Sequence, residues 1–178
     1  MARPASRSLT TRLRGVRLFL CDVDGVLTDC SVFMDGTSEM KQFNIQDGFG
    51  LRLMQRQGIK VGWISGRTSP ATAQRARELR VDFLRQGPEN KVAVIEAILA
   101  SEGLSWDQVC FMGDDLMDLG AMKRAGVAIT VCGAAAEARA QADYETRARG
   151  GQGAVREAVG LILKAQHKWK PLVAEFSA

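Results

Sequence analysis

Two carboxylates, Asp22 and Asp24, stand one residue apart, directly after the apolar run Leu18-Phe19-Leu20-Cys21 and directly before Gly25. Ionised carboxylates are costly to crowd into a partly dry crevice unless a cation compensates them, and a glycine lets the chain turn tightly around such an ion. The segment Asp22-Val23-Asp24-Gly25-Val26-Leu27-Thr28-Asp29 therefore implies a divalent metal. With one carboxylate as nucleophile and the other as proton donor, the pair suits a phosphate ester, the metal screening repulsion between carboxylate and phosphate. The competing interpretation is a solvated aspartate turn with no chemistry.

Chemistry of this kind needs rigid elements behind it. From Leu18 onward, short apolar runs alternate with amphipathic segments, as in βαβ units of a doubly wound, mostly parallel α/β sheet. Strands are predicted over 17–22, 59–65, 81–84, 109–112 and 127–131, and helices over 47–57, 70–80, 89–102, 115–125, 134–141 and 153–166. Ser69 before Pro70 is a helix start, and Gly58, Gly103 and Gly126 are helix stops. One piece breaks the alternation. Residues 31–34 and 39–43, around Asp35-Gly36-Thr37-Ser38, form an expected β-hairpin that overhangs the crevice as a flap. No insertion is long enough for a separate lid domain.

In such sheets ligands bind beyond the carboxyl ends of the strands. Besides Asp22 and Asp24, Ser65-Gly66-Arg67 ends one apolar run and Gly113-Asp114-Asp115 ends another. Asp114 and Asp115 fit helix caps when taken alone; across a sheet from Asp22 they become metal ligands, Asp114 the direct one. Asp118, four residues on, is placed to order a coordinated water or a neighbouring lysine. Ser65 and Gly66 offer a hydroxyl and an open backbone N–H to a tetrahedral anion. Lys91 sits near a helix start, where its charge opposes the dipole, an unfavourable placement that suggests a use beside nucleophile and phosphate.

Composition excludes other classes. The 178 residues, 46% hydrophobic, suit one compact domain. The net charge of +4 is carried by Arg3, Arg7, Arg12, Arg14 and Arg17, which precede any acid, and the rest is close to neutral. A nucleic-acid surface is therefore not expected. The anticipated organisation is a basic disordered tail over 1–16, one domain over 17–166 and a C-terminal tail over 167–178. No run approaches the ~18 apolar residues of a membrane span, so no membrane association is expected. Cys21, Cys30, Cys110 and Cys132 lack CxxC spacing, which argues against zinc and fits a reducing cytoplasm. The single histidine, His167, makes Ser-His catalysis or a multi-histidine metal site improbable.

In this order, DVDGVLTD at 22–29, ISGR ending at Arg67, PENK ending at Lys91 and GDDLMD at 113–118 resemble the haloacid dehalogenase (HAD) superfamily of phosphotransferases. The resemblance implies a Rossmann-like fold in which Asp22 attacks phosphorus and Asp24 protonates the leaving group and then activates water. It also implies Mg²⁺ held by the Asp22 carboxylate, the Asp24 backbone carbonyl and Asp114, with Ser65, Gly66 and Lys91 on the phosphoryl group. Within the superfamily, 17–166 is similar to the capless phosphatases of 3-deoxy-D-manno-octulosonate (KDO) 8-phosphate, an intermediate of lipopolysaccharide sugar synthesis. FNIQDGFG at 43–50, ISGRTSPATAQRARELRVD at 64–82 and RGGQGAVRE at 149–157 carry that likeness.

It implies substrate contacts from Arg67, Asp47 and Gly48, with the Arg67 fork on the sugar-acid carboxylate. It further implies a homotetramer in which the 149–157 motif comes near a neighbouring active site. Gln46, Gln152 and Gly120-Ala121 depart from residues common in that family. The alternatives are a nonulosonate 9-phosphate phosphatase, another sugar-phosphate phosphatase, or a catalytically silent binding protein.

Overall fold

The computed structural model describes residues 8–36, 38–87 and 90–177. The chain opens with α1 (Leu9–Arg14), enters the sheet as β1 (Leu18–Cys21) and forms a hairpin from β2 (Phe33–Met34) and β3 (Glu39–Met40). It then alternates through α2 (Ile45–Arg56), β4 (Lys60–Ser65), α3 (Pro70–Glu78), β5 (Phe83–Gln86), α4 (Lys91–Glu102) and β6 (Val109–Met112). The last third runs α5 (Leu119–Arg124), β7 (Val127–Cys132), α6 (Ala136–Gln141), β8 (Tyr144–Arg149), α7 (Ala154–Ala165) and α8 (Trp169–Glu175).

Six parallel strands make one sheet in the order β5-β4-β1-β6-β7-β8. The winding runs outward from β1 through β4 to β5, then returns to the other side of β1 at β6. The switch point therefore lies at β1, where a crevice opens beyond the strand ends.

The central strands are apolar throughout because both faces are covered. Side chains alternate between two cores. Phe19, Cys21, Val61, Trp63, Cys110 and Met112 meet residues of α1, α2, α7 and α8, while Leu18, Leu20, Ile64, Val109 and Phe111 meet α4, α5 and α6. Trp63, Phe19 and Phe111 are fully buried, and burial of each such side chain contributes about 1.5–3 kcal/mol. Helix starts carry the expected punctuation: Ser69 accepts from the Thr72 N–H at 3.3 Å with Pro70 in the first turn, and Asn44 accepts from the Gln46 and Asp47 N–H groups.

Four expectations are corrected. The basic start is not disordered up to residue 16: α1 is capped by Ser8, buries Leu13 and sends Arg12 to both Asp143 oxygens at 2.7 and 3.0 Å. Residues 1–7 lie outside the described residues. A sixth strand, β8, occupies the sheet edge. Over 115–125 a short 3-10 turn (Leu116–Asp118) precedes α5 in place of one continuous helix. The C-terminal stretch forms α8, which buries Leu172 and places Trp169 4.5 Å beneath the Arg156 guanidinium. Among the described residues no helix is long and apolar enough to cross a membrane.

Candidate active site

Cys21 pairs with Trp63 on one side and Met112 on the other, so Asp22–Asp24, Ser65 and Asp114 all leave the sheet at the same end. The Asp22 N–H still bonds the Met112 carbonyl at 2.9 Å. Beyond it the chain makes a tight turn, with the Leu27 and Thr28 N–H groups both on the Val23 carbonyl. Gly25 sits at φ +96°, and a Cβ there would lie 2.1 Å from Asp114 Oδ2. Only glycine combines that backbone with so close an approach of the second acid.

Lys91, at the first position of α4, joins the pieces. Its Nζ donates to Asp22 Oδ1 and Asp118 Oδ1, each at 2.7 Å, and its side chain is only 3% exposed. Burial pulls the ammonium down, but Asp118 and Asp22 more than offset this and hold it above its usual value. Asp118 spends its other oxygen on the Asp114 and Asp115 N–H groups at 2.9 and 3.3 Å. It is the clamp between Lys91 and the 113–118 loop.

Oxygens of Asp22, Asp114 and Asp118 come within 4.8 Å of one another. Burial, followed by the neighbouring acids, pushes the Asp114 carboxyl up to about 7. Asp22 is raised to about 6, again chiefly by burial, with Lys91 acting in the opposite direction. Asp114 Oδ1 and Asp24 Oδ2 are buried without a hydrogen-bond partner. Buried acceptors left open beside a cluster of carboxylates fit a hard, oxygen-seeking divalent cation, and all the donors here are oxygens.

Asp24 Oδ1 is not free: Lys41 Nζ lies 2.6 Å from it. Ser65, buried at the end of β4, exchanges hydrogen bonds with the Arg67 backbone. Met117, more than half exposed, reaches over Gly66 and borders the approach to it. Arg67 is half exposed, and its Nη2 donates to Glu39 at 2.7 Å; Glu39 also accepts from the Ser69 hydroxyl. Pro88 and Glu89 of the PENK motif lie outside the described residues.

Asp47, Gly48 and Asp115 sit otherwise than expected. Asp47 does not face the crevice: it is 1% exposed, and its oxygens accept from the Gly153 and Arg156 N–H groups at 3.2 and 2.6 Å. Gly153 has no side chain with which to cap α7, so Asp47 supplies the cap from α2. Gly48, beside it, faces Arg75 and Leu79. Asp115 is exposed and caps its own 3-10 turn through the Leu116 N–H. The 149–153 segment packs against its own chain: Gly151 N–H bonds the Val26 carbonyl at 3.0 Å, and a Cβ on Gly150 would lie 1.8 Å from the Gly25 carbonyl oxygen. A cavity of about 230 Å³ opens there, lined by Asp114, Cys30, Cys132, Arg149 and Gln152 among others.

Sequence reasoning did not single out Lys41 and Glu39. The signal was available, since alternation along the hairpin's returning arm puts residues 39 and 41 on one face and Met40 on the other.

No family model matches the chain. KDO 8-phosphate phosphatase KdsC of Yersinia pestis is 37% identical over 166 residues, 93% of this chain and 89% of that protein. A crystal structure of KDO 8-phosphate phosphatase from Moraxella catarrhalis, in complex with magnesium ion, phosphate ion and KDO, has a TM-score of 0.92. It is 36% identical, with 94% of this chain and 97% of that one covered. The cobalt-bound form of the Haemophilus influenzae enzyme has a TM-score of 0.85 at 32% identity, covering 88% of this chain and 92% of that one. This length of match, together with an acid cluster at the switch point of a six-stranded parallel sheet, shows that the chain belongs to the KDO 8-phosphate phosphatase family of HAD hydrolases.

Proposed function

We propose that this protein is a magnesium-dependent phosphatase that hydrolyses KDO 8-phosphate to KDO and phosphate, in lipopolysaccharide sugar synthesis. The observation that carries the proposal is the Asp22 carboxylate, tied through one oxygen to Lys91 and within 4.8 Å of an Asp114 oxygen at the end of β1. The magnesium, phosphate and KDO named for the Moraxella catarrhalis structure support both cation and substrate.

Asp22 is the nucleophile. An Asp22 oxygen forms a bond to phosphorus while the bond to the sugar oxygen breaks, and that oxygen takes the Asp24 proton. Asp24 then removes a proton from the water that opens the aspartyl-phosphate, regenerating Asp22 and releasing phosphate. Lys91 compensates charge on Asp22 and the phosphoryl group, and Ser65 with the Gly66 N–H receives phosphoryl oxygens. Asp22, Asp114 and the Asp24 backbone carbonyl would hold Mg²⁺, which supplies charge neutralisation for the anionic ester. Asp118 acts through Lys91 and the loop amides. Arg67 is the candidate for the sugar-acid carboxylate.

A homotetramer built through the flaps is supported by Phe33, Met34 and Met40, apolar hairpin side chains each more than half exposed. The thiols of Cys21, Cys30 and Cys132, outside any disulfide, accord with a cytoplasmic location.

The test is phosphate release from KDO 8-phosphate and from a nonulosonate 9-phosphate, with magnesium and with a chelator. Fast magnesium-dependent turnover of the first is expected. Faster turnover of the nine-carbon ester would reassign the substrate, and no chelator effect would remove the metal from the reaction.

A further inference from the structure

We infer that Lys41, on the flap, is a positioning residue that aims Asp24 at the leaving oxygen, an inference that rests on the phosphatase chemistry above. Lys41 directly follows β3, and its side chain has no exposed surface. Its Nζ lies 2.6 Å from Asp24 Oδ1 and 3.8 Å from Glu39 Oε1. Exposed ion pairs contribute little, but a lysine withdrawn completely from water has lost its hydration and needs a carboxylate in return. Glu39 holds this lysine from behind while bonding Arg67 and Ser69, so one flap segment is tied to both Asp24 and the start of α3.

With Oδ1 engaged by Lys41, the unpartnered Oδ2 is the oxygen left to carry a proton. When that proton passes to the departing sugar oxygen, negative charge appears on Asp24. The Lys41 ammonium is already in place to stabilise it, with no solvent rearrangement needed. The flap thereby contributes to the chemical step and does more than roof the crevice.

Leaving-group dependence tests this. A sugar alkoxide must be protonated as it leaves, whereas p-nitrophenolate departs without help. Both esters share Asp22, the metal and the phosphoryl pocket, and kcat/KM reports only the steps up to leaving-group departure. Lys41→Met is expected to lower kcat/KM for KDO 8-phosphate by roughly 100-fold, the scale of general-acid catalysis, and that for p-nitrophenyl phosphate by less than about threefold. In an Asp24→Asn background, Lys41→Met should produce no further loss on KDO 8-phosphate, because the group it positions is gone. That double variant removes both charges of the Lys41–Asp24 pair, so neither is left buried without the other.

Equal losses on the two esters, or additive losses in the double variant, would overturn the role of Lys41. Undiminished hydrolysis by Asp22→Asn would instead overturn the phosphatase chemistry beneath it.

Discussion

Asp47 and Asp114 are both acids in crowded surroundings, and burial raises both carboxyls, yet they end differently. Both Asp47 oxygens are satisfied by amides at the start of α7, whereas Asp114 keeps a buried oxygen with no partner and faces Asp22 and Asp118. The first is a completed joint between two helices. The second keeps an acceptor oxygen that a cation can use. Burial of a carboxylate therefore does not mark chemistry; what remains unbonded around it does.

The sharpest test of that contrast is the nucleophile of the open cluster. Asp22→Asn should reduce kcat by roughly 10,000-fold or more, while the metal-free melting temperature does not fall, because the charge removed is one that burial disfavours. A matching loss of melting temperature would mean that the open cluster is as structural as the closed one.

Protons should compete with magnesium at the open cluster alone. Asp114 and Asp22, at about 7 and about 6 without metal, carry protons below those values, so affinity for Mg²⁺ should rise with pH and level off above about 7. At pH 5 the Asp114 proton alone should weaken binding by roughly 100-fold, as read by calorimetric titration. The stability sign is fixed by the same shift. Asp114 is raised from 3.8 to about 7, so the folded state binds its proton more tightly, and the metal-free protein loses stability as pH rises through that interval. Saturating Mg²⁺ should therefore raise the melting temperature more at pH 8 than at pH 5.5.

Asp47→Ala should do the opposite of Asp22→Asn. It strands two buried N–H groups, and urea unfolding should register a loss of about 1–3 kcal/mol. The folded fraction should keep kcat within a few-fold. A selective loss of kcat with full stability would return Asp47 to the substrate site.

The sequence revealed the parts of this molecule whose physics is local. β1, β4 and β6 are covered on both faces, so they read as unbroken apolar runs, and the polar residues at their ends stood out. β8 stayed hidden because Tyr-Glu-Thr-Arg-Ala-Arg is an edge strand with Thr146 as its one buried residue, charged as edges commonly are. α1 was masked by its arginines, although Leu9 and Leu13 are spaced for one helix face. Pro171 obscured α8, where a first-turn proline is tolerated. Asp47 and Lys41 depend on partners 106 and 17 residues away, and no local pattern separates a cap, a positioning group and a substrate contact. Asp115 caps its own 3-10 turn, a local role that its position before Leu116 suggested.

The seat of Gly150 on the Gly25 carbonyl has a consequence for biogenesis. A nascent polypeptide emerging from the ribosome presents the Asp22–Asp29 turn early, but the amide that braces the Val26 carbonyl belongs to Gly151. Translation must pass that codon and clear the exit tunnel before the loop acquires its support. An early-made part of the reactive centre thus takes its brace from a segment made much later.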